Sequence, residues 1–284
     1  MEDTINQQVA KKLREAAGVL EQQQANPFRV SAYRRAAETV LSLESDIEKV
    51  VEEKGLKGLK ELPFIGEGIG RAIYEMVTTG HWAQLQRLRG ELEPTKLFQT
   101  VPGIGPELAE RIHDTLSVDS LEELEIAAHD GRLEKVPGIG PRRTAAIRGA
   151  VAEILRHRLR GKKSRPREEP PVELLLEVDE RYRKSAEANL LPTIAPKRFN
   201  PEGKAWLPIL HTDCEHWHFT ALYSNTARAH QLGRTHDWVV LYFYDGDHRE
   251  GQRTVVTETR GSLMGKRVVR GREAECRGYY RRSA

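Results

Sequence analysis

One hexapeptide occurs twice in this chain. Val101-Pro-Gly-Ile-Gly-Pro106 returns letter for letter as Val136-Pro-Gly-Ile-Gly-Pro141, 35 residues further on, and a looser copy, Leu62-Pro-Phe-Ile-Gly-Glu-Gly-Ile-Gly70, precedes both. Each copy closes a short run of helical spacing and opens a longer one. Gly103, Gly105, Gly138 and Gly140 let the chain turn tightly and bring bare backbone close to a ligand. Pro106 and Pro141 suit the first position of a helix, where the missing N–H costs nothing. The product is a tight turn between two helices, with unpaired amides gathered at a helix N-terminus. Such a place accepts an anion, for instance a phosphate oxygen.

That is the physical content of a helix-hairpin-helix motif, and the chain carries three. A 35-residue period also suits solenoids, but two strict copies and one loose copy are too few to stack into one, so compact paired hairpins are expected. The expected phosphate contacts are Gly66, Gly68, Gly103, Ile104, Gly105, Gly138, Ile139 and Gly140. Arg34, Arg35, Arg71, Arg142 and Arg143 are the candidate supporting charges. Residues 1–160 hold 23 Lys and Arg against 25 Asp and Glu. Contact with a polyanion there rests on backbone amides and a few placed arginines, with a shallow dependence on salt.

The chain divides by pattern. Ile5, Val9, Leu13, Ala16 and Leu20 mark a first helix, which Asn26-Pro27 breaks. A second runs from Phe28 to Leu41 with Tyr33, Ala37, Val40 and Leu41 inward. Ser45 is expected to cap a third, striped by Ile47, Val50 and Val51. Ser120-Leu-Glu-Glu123 reads as a capping box, and Gly131 closes the helix it opens. Ala145, Ile147, Val151, Ile154 and Leu155 line the last helix of this part. Gly161-Lys-Lys-Ser-Arg-Pro-Arg-Glu-Glu-Pro-Pro171 reads as a linker. Beyond it come a helix from about Val178 to Leu190 and five strand-like runs: Trp206–Thr212, His216–Ser224, Asp237–Tyr244, Thr254–Thr259 and Arg267–Val269. Trp238-Val-Val-Leu-Tyr-Phe-Tyr244 is apolar on both faces and is expected at the centre of a sheet. Asp245-Gly-Asp-His-Arg-Glu-Gly251 reads as a hairpin loop. The fold class is α+β multidomain: an all-α N-terminal half with three helix-hairpin-helix motifs, then a mainly antiparallel β domain with one or two helices. Expected boundaries are 1–90, 91–160, a linker at 161–171, and 172–284.

On Phe28-Arg-Val-Ser-Ala-Tyr-Arg-Arg-Ala-Ala37, the first hairpin, Phe98-Gln-Thr-Val-Pro-Gly-Ile-Gly-Pro106 and Gly131-Arg-Leu-Glu-Lys-Val-Pro-Gly-Ile-Gly140, the first 160 residues resemble the N-terminal part of bacterial family X DNA polymerases. The resemblance implies binding of the two arms of gapped or nicked DNA, and a monovalent cation held by hairpin carbonyls beside the phosphate. Two departures accompany it. Where lyase-active relatives place a Schiff-base lysine, this chain has Ala72 beside Arg71, and a guanidinium does not deprotonate to act as an amine nucleophile. No polymerase palm is recognised. Asp245-Gly-Asp247 is the one Asp-x-Asp of the second domain, Ser224 is preceded by Tyr223 rather than glycine and lies 21 positions upstream, and Glu258 is the one nearby strand carboxylate.

Further constellations leave alternatives open. His216 and His218 share a strand face and, with His211 or His236, form either a metal set or ordinary packing histidines. Phe219–His230 and Thr235–Trp238 are rich in polar groups and resemble stretches of bacterial proteins of unassigned chemistry with the same layout of hairpins and tail. Arg260, Lys266, Arg267, Arg270, Arg272, Arg277, Arg281 and Arg282 read either as a phosphate-following patch or as a solvated surface with a frayed tail. No catalytic and no metal residues are assigned. The leading expectation is a sequence-independent DNA-binding accessory of repair or recombination. One alternative is a metal-dependent enzyme that processes DNA ends or nucleotides in the C-terminal domain; another is a DNA-bound module that docks a protein partner. No apolar run approaches a membrane span, two cysteines build no disulfide framework, and a cytoplasmic location is expected.

Overall fold

The computed structural model describes residues 3–90, 94–116, 118, 121–159, 169–245 and 251–282. The chain forms two compact units, one of Met1–Ala109 and Asp119–Ser164, the other of Glu110–Val118 and Arg165–Ala284.

The first unit is helical. Helix α1 (Ile5–Gln22) opens on a capping box: the Thr4 hydroxyl accepts from the Gln7 N–H, and the Gln7 side chain accepts from the Thr4 N–H. Val9, Leu13, Ala16 and Leu20 are buried as their spacing predicts. In α2 (Pro27–Leu41) the side-chain oxygen of Asn26, Oδ1, caps the Phe28 N–H at 2.9 Å. Tyr33, Ala37 and Val40 face inward, but Leu41, also expected inward, is 37% exposed because the helix ends there. The start of α3 (Ile47–Lys60) is not capped by Ser45. Asn6 of α1 does that work across 41 residues of chain, accepting from the Ile47 N–H at 2.8 Å and donating to the Ser45 carbonyl at 3.1 Å. No local pattern announces such a cap. Helix α4 (Glu67–Thr79) stops at Gly80, whose φ of 71° is the left-handed turn that glycine makes without strain.

The remaining helices are α5 (Ala83–Leu88), α6 (Pro94–Phe98), α7 (Pro106–Leu116), α8 (Leu121–His129) and α9 (Pro141–Leu159), with a 3₁₀ turn at Arg132–Lys135. Gly131 ends α8 at φ 80° as expected. Ser120 lies outside the described residues, as does the Leu155 side chain. Ile147 and Val151 of α9 are buried, whereas Ala145 is exposed and Thr144 takes the inward position.

The second unit is built on a six-stranded antiparallel meander in which each strand pairs with the next. Its strands are β1 (Thr193–Ile194), β2 (Leu207–Cys214), β3 (Trp217–Tyr223), β4 (Val239–Tyr244), β5 (Gly251–Thr257) and β6 (Arg267–Val269). Every residue of β4 is buried, in keeping with its apolar faces. Along β3 the expected polar alternation is largely covered, with only His218 short of full burial. Residues 246–250 of the expected hairpin loop and 161–168 of the expected linker lie outside the described residues.

Helix α10 (Val172–Glu187) begins six residues earlier than its pattern suggested, because Pro171 stands at the N-cap and Val172, Leu174, Leu175 and Leu176 are already buried. It lies on one sheet face through Tyr182. That ring meets Tyr223 edge-on at 4.8 Å, and its hydroxyl donates to the Pro208 carbonyl and accepts from the Tyr223 N–H. After the short α11 (Ala227–Gln231), the tail is ordered rather than frayed: α12 (Glu273–Arg282) carries acids in its first turn and arginines in its last, as the helix dipole favours. It is pinned by the fully buried Cys276, whose Sγ accepts from the Val269 N–H, and by Tyr280, whose hydroxyl donates to the Arg267 carbonyl.

Candidate nucleic-acid interface

The three hairpins are one structure repeated. In the second, the Val101 N–H donates to Phe98 O (3.0 Å), Ile104 N–H to Val101 O (3.1 Å) and Ala109 N–H to Gly105 O (2.9 Å). The third repeats this with Val136 to Leu133 (3.2 Å), Ile139 to Val136 (3.0 Å) and Thr144 to Gly140 (3.0 Å). The first does the same with Leu62 to Leu59 (3.2 Å), Ile65 to Leu62 (3.3 Å) and Gly70 to Gly66 (2.8 Å). Ile65, Ile104 and Ile139 plug each turn into the core. The side chains of Ile104 and Ile139 are therefore anchors, and what they bring outward is backbone.

This equivalence sets the register. Gly103 (φ 89°) and Gly138 (φ 86°) correspond to Phe64 (φ 60°), and Gly105 and Gly140 correspond to Gly66. Gly68 falls inside the first turn of α4, at the place held by Glu107 and Arg142. Among the described residues the N–H groups of Gly103, Gly105, Gly138 and Gly140 donate to no protein acceptor, and all four glycines are exposed. A phosphate oxygen is the kind of acceptor that such outward amides fit.

Charge distinguishes the hairpins. At the third, Arg142 is exposed with no ion-pair partner among the described residues. Arg143 turns back to donate to Gly138 O at 3.0 Å. At the second the helix opens with Glu107. At the first, Glu67 occupies the helix N-terminus and is held by Lys60 and by Arg71, the latter at 2.8 Å. Burial opposes the charged form of Glu67, but the hydrogen bonds and charges of Lys60 and Arg71 outweigh it and hold the carboxyl below its usual range. Of the other candidate charges, Arg34 pairs with Glu21 at 2.6 Å, and Arg35 lies over the Phe64 ring at 5.6 Å from its centroid. Ala72 is buried in α4.

The monovalent cation implied by the resemblance would take carbonyl oxygens. At the third hairpin Arg143 already brings an N–H to the Gly138 carbonyl. At the second no side chain does so at Gly103 among the described residues. A backbone carbonyl left without a side-chain donor is the kind of ligand an alkali ion takes.

In the second unit Arg267 and Arg272 are turned inward and Arg270 and Arg282 are ion-paired at the surface, while Arg260, Arg277 and Arg281 are exposed. All five N–H groups of Arg267 are used, two on Asp179 (2.6 and 2.9 Å), one on Asp237 (2.6 Å), one on Thr257 Oγ1 (3.0 Å) and one on Val255 O (3.1 Å). Arg272 holds Glu275 and Pro170 O, Arg270 holds Glu258, and Arg282 holds Glu173. Lys266 sits over the Tyr280 ring. These side chains fasten the fold and are not a free basic patch.

The histidines do not converge. His211 Nδ1 is 3.0 Å from Thr220 Oγ1, His218 Nδ1 is 2.6 Å from Asp213 Oδ1, and the His218 ring stacks on Tyr244. Among the described residues no three His, Cys, Asp or Glu groups come together as a metal set. Glu258 accepts from the Thr259 and Arg260 N–H groups besides its Arg270 pair, and Asp247 lies outside the described residues. The polar stretch after β3 forms a small cluster instead. Asn225 is 2.6 Å from His230 Nε2 and donates to Arg198 O, and the Phe199 ring lies tilted against His230, 4.3 Å between centroids. Burial, and then the Arg198 charge, push the His230 imidazole below its usual range.

Comparison with known proteins bears on the helical part. A model described as "Helix-hairpin-helix domain" matches residues 4–82, and one described as "SAM-like Helix-hairpin-helix tandem" matches residues 95–150. Over 129 residues the chain is 29% identical to the DNA polymerase/3'-5' exonuclease PolX of Bacillus subtilis (strain 168). The N-terminal half resembles a family X DNA polymerase. The match covers 45% of this chain but only 22% of that enzyme, so the likeness is to a part of it. No described helix is long and apolar enough to cross a membrane.

Proposed function

We propose that this protein binds DNA without regard to sequence and serves as an accessory of repair or recombination, engaging gapped, nicked or bent duplexes. The observation that carries this reading is the paired hairpin. Two turns with one hydrogen-bond pattern present unengaged, exposed amides at Gly103, Gly105, Gly138 and Gly140, each at the start of a helix. Backbone amides that meet phosphate position a protein on DNA and read no bases. Arg142 adds an exposed charge at the third hairpin. Separate hairpins suit separate arms of a broken duplex. The B. subtilis relative is named as a polymerase and exonuclease, and DNA as the ligand of its hairpin region is in keeping with that.

Fluorescence anisotropy with the full chain tests the reading on gapped, nicked, intact and single-stranded DNA of one sequence. Tightest binding to the gapped and nicked forms is expected, with a shallow salt slope that falls by about one charge in Arg142→Ala. DNA recovered after incubation with Mg²⁺ is expected to run unaltered on a denaturing gel. Equal affinity for all four forms removes the preference, and Mg²⁺-dependent alteration of the DNA shifts the function to an enzyme.

A further inference from the structure

Phe64 is hard to account for as part of a fold. It stands where the strict hairpins have glycine, and it keeps their left-handed backbone at φ 60°, which a bulky side chain adopts only under strain. Burial does not compensate, because the residue is 62% exposed. Over its ring, 5.6 Å from the centroid, lies the guanidinium of Arg35 from α2, within cation–π range. Arg35 has no ion-pair partner among the described residues.

The same hairpin has lost the features that suit a phosphate. A benzyl group occupies the bare-backbone surface that Gly103 and Gly138 leave open. The anion position at the start of α4 is filled by the chain's own Glu67, fixed between Lys60 and Arg71. A second anion there meets a carboxylate.

We propose that the first hairpin meets DNA through the Phe64 ring and the Arg35 guanidinium, which stack on a base left unpaired at a strand break. This rests on the DNA-binding function proposed above and adds the chemistry of one contact. Two planar groups, one of them cationic, match the face of any base and the phosphate beside it, and stacking of this kind tolerates every sequence. Bases inside an intact duplex are covered on both faces by their neighbours. A gap uncovers one. The first hairpin then reports the break while the second and third hold the backbone, and the gap preference resides in Phe64.

The test uses full-length protein and a one-nucleotide-gapped duplex carrying 2-aminopurine opposite the gap, beside the same sequence intact. Phe64→Gly restores the strict hairpin sequence and relieves the backbone, so it retains the fold; Phe64→Trp keeps a stacking surface. Wild type and Phe64→Trp are expected to change the 2-aminopurine emission on the gap. Phe64→Gly is expected to lose that change and about ten-fold of its preference for the gap, with affinity for intact duplex unaltered. Retention of both the signal and the preference by Phe64→Gly overturns the proposal. So does an equal loss on gapped and intact DNA, which makes Phe64 a scaffold. Failure of the wild-type protein to bind any DNA is a different result, seen before any variant is compared, and it removes the underlying function as well.

Discussion

At the scale of single residues, the hairpins show how far a repeat can be read. The alternation of glycine and isoleucine located the turns, and the buried Ile104 and Ile139 follow from it. The loose copy was harder. Its glycines at 66, 68 and 70 invite pairing of Gly66 and Gly68 with Gly103 and Gly105, whereas the hydrogen bonds pair Phe64 and Gly66 with them. A phenylalanine in a glycine position contradicts propensity, so only the backbone geometry reveals it. Two glycines of one turn are also expected to behave differently. Gly138 has φ 86°, so Gly138→Ala should destabilise the protein by about 1–2 kcal/mol. Gly140 has no such φ, and a Cβ there meets nothing within 4 Å. Gly140→Ala should therefore be neutral or stabilising by less than about 1 kcal/mol. Urea unfolding of the two variants decides it.

At the scale of elements, periodicity located helices and strands well, and long-range polar contacts escaped it. The cap of α3 comes from Asn6, and the clamp that joins α10, β6 and the turn before β4 comes from Arg267 on Asp179 and Asp237. In sequence the arginines near residue 267 resemble a surface patch, because nothing local says which carboxylate will meet them. Asp179 is almost wholly buried, so Asp179→Ala leaves the largely buried Arg267 without one of its two carboxylates and should cost about 3–5 kcal/mol in denaturant unfolding. The start of α4 carries a pH dependence. Glu67 titrates below its unfolded value, so its contribution is complete above the usual glutamate range and is lost as pH falls through its lowered pKa. Unfolding of wild type followed from pH 6 downward should steepen below about pH 4.3, and Glu67→Gln should remove that part of the slope. An unchanged slope in the variant contradicts the assignment.

At the scale of the whole molecule, the near balance of charge over residues 1–160 excludes a basic blanket and leaves placed contacts to do the binding. The helical half was legible because its turns need specific residues. The ligand of the sheet-based half was not, because its polar residues are largely spent on one another, in Arg267–Asp179, Asn225–His230 and His218–Asp213. Central to the proposed function is the docking of phosphates on the amides of the two strict hairpins. Gly105 and Gly140 allow a direct test, since neither has a left-handed φ and a side chain at either meets open space. Gly105→Asp/Gly140→Asp should fold as wild type by circular dichroism while placing two carboxylates where phosphates would sit. The decisive measurement is the anisotropy titration of this variant against wild type on gapped duplex at low salt. A loss of about thirty-fold or more is predicted, since each of the two like-charge contacts costs roughly a kcal/mol or more. Unchanged affinity in the folded variant would place the DNA elsewhere on the protein and leave the hairpins as scaffold.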